Sequence, residues 1–230
     1  SEALERSSQP EIAGAIALYA RPSVAQCWLV PRLADFIERY PLVSLDLRVG
    51  NDNVDFRTRK IDLALYYANG EFPGLTSQRL MRECMAPVCS PEYAQRHRLH
   101  ENPQNLSSCT TLHDSLAWDH AAYDAEWTLW AEQHNLLAAL PKRTLTFDRS
   151  DLCVTAAMSH AGIAIGRQQL VQKRVDRGEL VLPFGGFRQY GHYDYYLVHP
   201  PLNVVPKRLQ VFMNWLHMCA QEQTIEQRPN

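Results

Sequence analysis

The chain has 230 residues, 46% of them apolar and 21% charged, with 23 basic side chains against 25 acidic ones. That length can bury a real core as one large or two small units, and a formal net charge of −2 argues against a basic nucleic-acid surface within the chain. No apolar run approaches the roughly 20 residues of a membrane span, the N-terminal SEALERSSQPEI lacks the apolar centre of a secretory signal, and six scattered cysteines without a C-x-x-C pair read as reduced, buried thiols of a cytoplasmic protein rather than a zinc site.

GAIALYA (14–20) reads as a buried strand. Residues 24–39 follow with apolar side chains at Val24, Cys27, Trp28, Val30, Leu33, Phe36 and Ile37, which is helical spacing. Pro31 inside this run removes one amide and crowds the Cys27 carbonyl, so a kink is expected there. VSLDLRV (43–49) alternates as a half-exposed strand does. NVDFRTRK makes a short helical turn, IDLALYY (61–67) a buried strand, 75–90 a mostly extended stretch, and PEYAQRH a helix opened by Pro91. This β-α-β-α-β order implies right-handed crossovers and a largely parallel sheet.

The plan then repeats. CTTLHD (109–114) is a strand, AYDAEWTLWAEQH a helix carrying Trp127 and Trp130, and RTLTF (143–147) a strand whose DRS turn leads into a helix over 151–160, with Gly162 as its stop. IAIG (163–166) is a short strand, RQQLVQKRVDRG a helix ended by Gly178, YDYYLVHP (193–200) a strand, 204–220 a last helix and QEQTIEQRPN a frayed tail. Two α/β lobes result, with MAPVCS and YDYYLVHP as the strands that cross between them and the last helix returning to the first lobe.

Enzyme signatures are missing: there is no G-x-S-x-G, P-loop or dinucleotide fingerprint, and the nine histidines are dispersed. Cys27 lies on the apolar stripe of its helix, where packing explains it better than a thiol nucleophile does. Asp148 and Asp151 straddle a helix start, a spacing that suits capping and dipole complementarity.

A pair of helix starts is the stronger signal. Ser23, followed three residues later by Gln26, caps one after the first strand, and Ser150 caps another after RTLTF. Each presents a hydroxyl and unpaired N–H groups at the positive end of a helix, at the carboxyl edge of a sheet where ligands of open α/β folds bind. Two facing lobes would aim both starts into one cleft and hold a carboxylate there. Arg149 could add a charge-assisted bond and Asp148 could pair with an ammonium. Tyr66, Tyr67, His113 and Phe147 close strands at the same edges, and Tyr195 lies on the returning strand. Each has a plain alternative: an ordinary cap for either serine, a packed ring with a bonded hydroxyl for the tyrosines, an interface histidine for His113.

The runs RPSVAQCWLVPRLADFIERYPLVSLDL, GNDNVDF, IDLALYY, VCSPEYA and FDRSDLCVTAAMSHAGIAIGRQQLV resemble the effector-binding domain of LysR-type transcriptional regulators, from about Gly14 to about Cys219. The stretches ARPSVAQCWLVP, GNDNVD, PVCSPEYAQRH and FDRSDL are similar to a subgroup whose effector is D-serine. The resemblance implies a two-lobed, periplasmic-binding-protein-like α/β fold with an interlobe effector cleft and no enzymatic activity or cofactor. It implies that Ser23 meets the effector, that the turn from Asp148 to Ser150 supplies contacts from the second lobe, and that the strand ends at Tyr66 and Tyr195 border the cleft. It assigns 1–12 to the end of a linker helix, 13–89 with 194–221 to the first lobe, 90–193 to the second and 222–230 to a tail. It further implies an antiparallel homodimer through 24–39 and 43–49, a tetramer of the full-length protein, and DNA binding by a winged helix-turn-helix outside this chain. RNA polymerase is a further partner, with no membrane contact. A solute-binding protein, or a sensor of another amino acid or carboxylate on the same fold, is the competing reading.

Overall fold

The computed structural model describes residues 12–226; most of the expected linker end (1–12) and the close of the expected tail (222–230) lie outside the described residues. The strands are β1 (Gly14–Ala20), β2 (Val43–Val49), β3 (Leu63–Ala68), β4 (Thr76–Met81), β5 (Met85–Val88), β6 (Thr110–Asp114), β7 (Arg143–Phe147), β8 (Ile163–Arg167) and β9 (Asp194–His199). They form two sheets, in the orders β2-β1-β3-β9-β4 and β5-β8-β6-β7. The expected parallel pairing holds for β1 with β2 and β3, and for β6 with β7 and β8. β9 runs antiparallel to β3 and β4, and β5 antiparallel to β8, because these strands enter their sheets from the other lobe rather than through a local crossover.

Side-chain alternation sorts the first sheet into two faces. Ile16, Leu18 and Ala20 of β1 and Leu63, Leu65 and Tyr67 of β3 join one cluster with Trp28 and Phe36. Tyr19, Ala64 and Tyr66 join the opposite one. The last helix, α7 (Lys207–Glu226), packs Leu209, Phe212, Met213 and Leu216 onto the first face, as expected. It starts three residues later than the periodicity suggests and runs on into the expected tail. Phe36 meets Phe212 edge-on at 4.8 Å, and Trp215 donates its ring N–H to Asp35 Oδ2 at 2.7 Å. Those two contacts fasten α7 to the first helix.

That first helix, α1 (22–39), is irregular. An α turn (Pro22–Val24) passes into a π turn (Ala25–Leu29), a 3-10 turn (Val30–Arg32) and an α segment (Leu33–Arg39). Pro31 is the cause: it has no N–H for the Cys27 carbonyl, so the helix widens before it, with the Val30 N–H reaching back to the Ala25 carbonyl, and tightens across it. The expected kink thus takes the form of a change in helix type. The Arg32 guanidinium donates to the Trp28 carbonyl at 2.7 Å and lies 4.8 Å over the Trp28 ring.

β5 lies wholly in the second sheet and β9 wholly in the first. The crossings are therefore the short segments 82–84 and 189–193, not MAPVCS and YDYYLVHP themselves, and the passage out of the first sheet comes before residue 89. The two crossings are joined where the Glu83 N–H donates to Asp194 Oδ1 at 2.9 Å. The first lobe also holds the one-turn α2 (Phe56–Arg59), and the second lobe α3 (Pro91–Arg96), α4 (Ala125–Gln133), α5 (Ser150–Met158) and α6 (Gln168–Asp176).

Gly178 stops α6 at φ +71°, as expected. Gly162 does not stop α5; the left-handed residue there is His160, at φ 62°. Gly162 is glycine because a Cβ would stand 2.4 Å from the Thr110 carbonyl oxygen. Gly162→Ala is expected to destabilise the chain by about 1–3 kcal/mol, read as a lowered urea midpoint. Gly74→Ala, with open space around it, isolates the backbone cost alone and is expected at about 1 kcal/mol.

Candidate functional site

A cavity of about 140 Å³ opens between the sheets. Arg21, Tyr67, Asp114, Asp148 and Arg167 line it, and each lies at or within one residue of the carboxyl end of one of the strands β1, β3, β6, β7 and β8. This is the carboxyl edge at which open α/β sheets take ligands. Three arginines (Arg21, Arg149, Arg167) and three aspartates (Asp114, Asp119, Asp148) contribute to the wall, so the lining is close to charge-balanced.

The floor is a buried ion cluster. Arg167 donates to Glu126 Oε1 from Nε at 3.1 Å and from Nη2 at 2.9 Å, to the Ala117 carbonyl at 2.9 Å and to Asp114 Oδ2 at 3.5 Å. Its guanidinium lies 4.2 Å over the Tyr67 ring. Burial pushes the Asp114 carboxyl upward and Arg167 opposes that shift. Burial drives the Tyr67 and Tyr195 hydroxyls upward as well, so both remain neutral donors.

Below Tyr195 sits Glu83. Its Oε1 accepts the Cys84 N–H at 2.9 Å and the Gln169 N–H at 3.2 Å. Its Oε2 and the Tyr195 hydroxyl make no well-aligned hydrogen bond among the described residues, yet each is near enough to influence the other's titration. Burial raises the Glu83 carboxyl to about 7, against the pull of Tyr195, Arg167 and the two N–H groups.

Two ties bracket the cleft. Ser23 Oγ donates to Asp151 Oδ1 at 2.8 Å and accepts the Asp151 N–H at 3.3 Å. Arg149 grips the same carboxylate at both oxygens, at 3.0 and 2.8 Å, and reaches Gln26 Oε1 at 2.9 Å. On the second tie, Arg21 meets Asp119 at 3.3 Å and Asn53 at 3.1 Å, and Asn53 bonds Asp119 at 3.1 Å.

Of the residues singled out in the sequence, Ser23, Tyr67, Asp148, Arg149 and Tyr195 line the cavity; Tyr66, His113, Phe147 and Ser150 are not in its wall. Tyr66 lies on the opposite face of β3, where its hydroxyl accepts the Val54 N–H at 2.8 Å and Arg21 stacks 5.1 Å over its ring. His113 turns from the cleft for the same reason of alternation; its Nε2 lies 2.8 Å from Thr111 Oγ1, and burial lowers its proton affinity. Phe147 packs beside the Val88–Leu112 cluster. Ser150 stands inside the first turn of α5, whose cap position is Arg149, and its hydroxyl is buried with no partner among the described residues.

Ser23 does not cap its own helix either. Arg21 holds that position with no side-chain bond, and the Ser23 hydroxyl serves the start of α5 across the seam instead. The two helix starts do approach each other, but the carboxylate between them is the protein's own Asp151. Sequence reasoning missed Arg21, Asp114, Glu126 and Arg167 and took Asp151 for a cap. Three signals were available: the residue beside each chosen strand end, an arginine closing the apolar run IAIGR, and a glutamate next to Trp127 on a buried helix face.

Ser90, His160 and Glu92 form a serine–histidine–carboxylate set, with 2.7 Å from Ser90 Oγ to His160 Nδ1 and 3.4 Å from His160 Nε2 to Glu92. Ser90 is buried and caps α3 by accepting the Tyr93 N–H at 3.1 Å. That role accounts for it structurally.

Two sheets closing on a polar cleft at their strand ends define a small-molecule-binding domain of the periplasmic-binding-protein type. The chain belongs to the family described as "LysR substrate binding domain", whose profile matches residues 9–220. It is 48% identical over 206 residues to the HTH-type transcriptional regulator DsdC of Escherichia coli K12, and 29% identical over 184 residues to the glycine cleavage system transcriptional activator of the same strain. Those matches take in 90% and 80% of this chain but 66% and 58% of the relatives. The relatives are regulators, and the family is not one of enzymes. The fold matches the effector domain of AmpR from Pseudomonas aeruginosa (TM-score 0.74, 24% identity, 94% of this chain and all of that one). It also matches CrgA of Neisseria meningitidis (TM-score 0.71, 20% identity, 94% of this chain and 72% of that one). No helix among the described residues is long and apolar enough to cross a membrane.

Glu83 is expected to make the fold pH-sensitive. Its folded value, about 7, lies above its ordinary 4.5, so the folded chain holds the proton more tightly. The corresponding stabilisation is complete below pH 4.5 and is lost as pH rises through 7, by at most about 3 kcal/mol. Urea unfolding between pH 5 and 8 is expected to show the wild type losing stability relative to Glu83→Gln; parallel curves would place the Glu83 proton elsewhere.

Proposed function

We propose that this chain is the effector-sensing domain of a transcriptional activator and that its cleft takes a small amino acid, D-serine, to control genes of D-serine catabolism and transport. The observation that carries the reading is the charge-balanced cavity of about 140 Å³ at the strand ends. At about 30 Å³ per water, it displaces a handful of waters, the scale of a small zwitterion. In this proposal Ser23, Arg149 and Arg21 receive the carboxylate, Asp148 and Asp114 the ammonium, and Tyr67 and Tyr195 the hydroxyl. The choice of D-serine over other small amino acids rests on the sequence motifs and on the 48% identity to DsdC, a regulator of D-serine deaminase. Tyr66, His113, Phe147 and Ser150 then act by supporting that shell: Tyr66 beneath Arg21, and Ser150 beside Asp151.

The assembly follows the same reading. Val30, Ile37 and Val49 are about half exposed, which supports a homodimer through 24–39 and 43–49, doubled to a tetramer in the full-length protein. DNA is bound by a winged helix-turn-helix outside this chain, RNA polymerase is contacted from the assembled complex, and the protein works in the cytoplasm. An effector shifts the lobes by no more than its difference in affinity for the two arrangements, and the Ser23–Asp151 and Arg21–Asp119 ties are what it must re-form or break.

Calorimetry with D-serine, L-serine, glycine and D-threonine tests the effector. D-serine is expected to bind at least tenfold more tightly than the others, and Ser23→Ala is expected to weaken it about tenfold, the loss of one hydrogen bond to a charged group. Equal binding across the panel ends the D-serine assignment, and unchanged affinity in Ser23→Ala removes that residue from the site. Ile37→Glu is expected to shift the chain toward monomer in sedimentation velocity; an unaltered dimer would put the interface elsewhere.

A further inference from the structure

Trp118 is the largest side chain in the wall of the cleft. It stands on the segment that follows β6, half-buried, with its indole stacked on the Tyr193 ring at 4.9 Å between centroids and 21° between planes. Tyr193 in turn lies 5.9 Å from Tyr67, and Tyr67 lies 5.1 Å from Tyr195. A run of four rings thus leads from the two tyrosine hydroxyls of the cleft to Trp118.

Packing accounts for part of this. Trp118 rests beside the apolar cluster of the first sheet, and a ring stacked on a ring needs no ligand. Packing does not account for how firmly the segment is held on either side of the indole. The Leu116 N–H donates to Asp114 Oδ1 at 3.0 Å, and the Ala117 carbonyl accepts from Arg167 at 2.9 Å. The Trp118 carbonyl accepts the Ala121 N–H at 3.1 Å. Asp119 is tied across the cleft to Arg21 at 3.3 Å and to Asn53 at 3.1 Å. Trp118 cannot draw back from a ligand without disturbing the buried charges of the floor or the tie between the lobes. A wall that cannot yield, beside a cavity of about 140 Å³, is a size filter.

We propose that Trp118 is a specificity-determining residue, which limits the effector's side chain to about the size of serine's by closing the end of the cleft where that side chain lies. The inference rests on the cleft's taking a small amino acid. A carboxylate and an ammonium are common to all amino acids, so the arginines and aspartates of the wall do not select among them. The tyrosine hydroxyls reject an effector that lacks a hydrogen-bonding side chain, because they would be left unpaired. They do not reject a longer one; that falls to the indole. Deleting it would leave an apolar void, and an apolar void of about 150 Å³ in a protein core takes up benzene, so the space suits a benzyl group.

The test is calorimetry of the wild type, Trp118→Ala and Trp118→Phe with D-serine, D-valine and D-phenylalanine, with thermal unfolding to confirm that each variant is folded. Trp118→Ala is expected to raise the ratio of D-phenylalanine to D-serine affinity by about tenfold or more, the burial of one aromatic side chain, and D-serine is expected to compete with D-phenylalanine. Trp118→Phe keeps a ring against Tyr193 and opens less space; it is expected to raise the ratio of D-valine to D-serine affinity by about threefold. A merely structural tryptophan would weaken all three ligands alike. Unchanged ratios in both variants, with D-serine still bound, overturn the inference and leave the effector reading standing. D-phenylalanine bound by Trp118→Ala without competition from D-serine lies outside the cleft and overturns it as well. A folded wild type that binds no small amino acid ends the effector reading and this inference with it.

Discussion

A buried carboxylate is the tightest of the ties between the two halves of this molecule. Asp151, at the start of α5 in the second lobe, is almost fully buried, and it accepts hydrogen bonds from Ser23 of the first lobe and from two nitrogens of Arg149. The Ser23 hydroxyl returns the contact by accepting the Asp151 N–H. Removing one partner of a buried charge pair costs about 3–5 kcal/mol, and a hydrogen bond to a charged group contributes about 1.5–3 kcal/mol. A ligand of micromolar affinity supplies about 8 kcal/mol. The tie is therefore strong enough to define one lobe arrangement and weak enough for a small molecule to replace it.

The floor works in the opposite sense. Arg167 is enclosed by Glu126, Asp114, the Ala117 carbonyl and the Tyr67 ring. Moving any member would leave an unpaired charge in a dry environment, which disfavours rearrangement of the floor. The crossing segments lie next to it. Glu83, on one crossing segment, donates its N–H to Asp194 at the start of β9 and accepts the Gln169 N–H in the first turn of α6. A carboxyl that burial raises to about 7 thus sits at a crossing between the two sheets, near a tyrosine of the cleft wall.

Much of the fold was legible in the sequence because the information is periodic. Alternation and helical spacing located the strands, both lobes and the return of the last helix, and Pro31 marked the irregularity of α1. Two kinds of detail were not legible. Antiparallel insertion of β5 and β9 depends on where the chain crosses, and 82–84 and 189–193 carry no pattern that distinguishes a crossing from a strand. At the cavity wall, the differences are of one residue. Tyr66 was chosen with Tyr67 and His113 instead of Asp114, of which Tyr67 and Asp114 line the cavity, while Ser150 adjoins Asp151, which makes the contact with Ser23. A strand end identifies the edge of a sheet, but which of two neighbours faces the cleft is set by the sheet's parity against the other lobe. That parity is a tertiary fact.

The serines illustrate the same limit from another side. A Ser-x-x-Gln pattern after a strand is a sound signature for a helix start, and a helix does start there. Yet Pro22 already supplies a first-turn residue that needs no hydrogen bond, so the start of α1 can do without a capping side chain. That frees the Ser23 hydroxyl for α5. Gln26 is released in the same way and accepts from Arg149. Both residues that look like a local capping box thus become the first lobe's half of the interlobe contact. The local signal and the functional role use the same atoms, and only the position of the opposing helix decides between them.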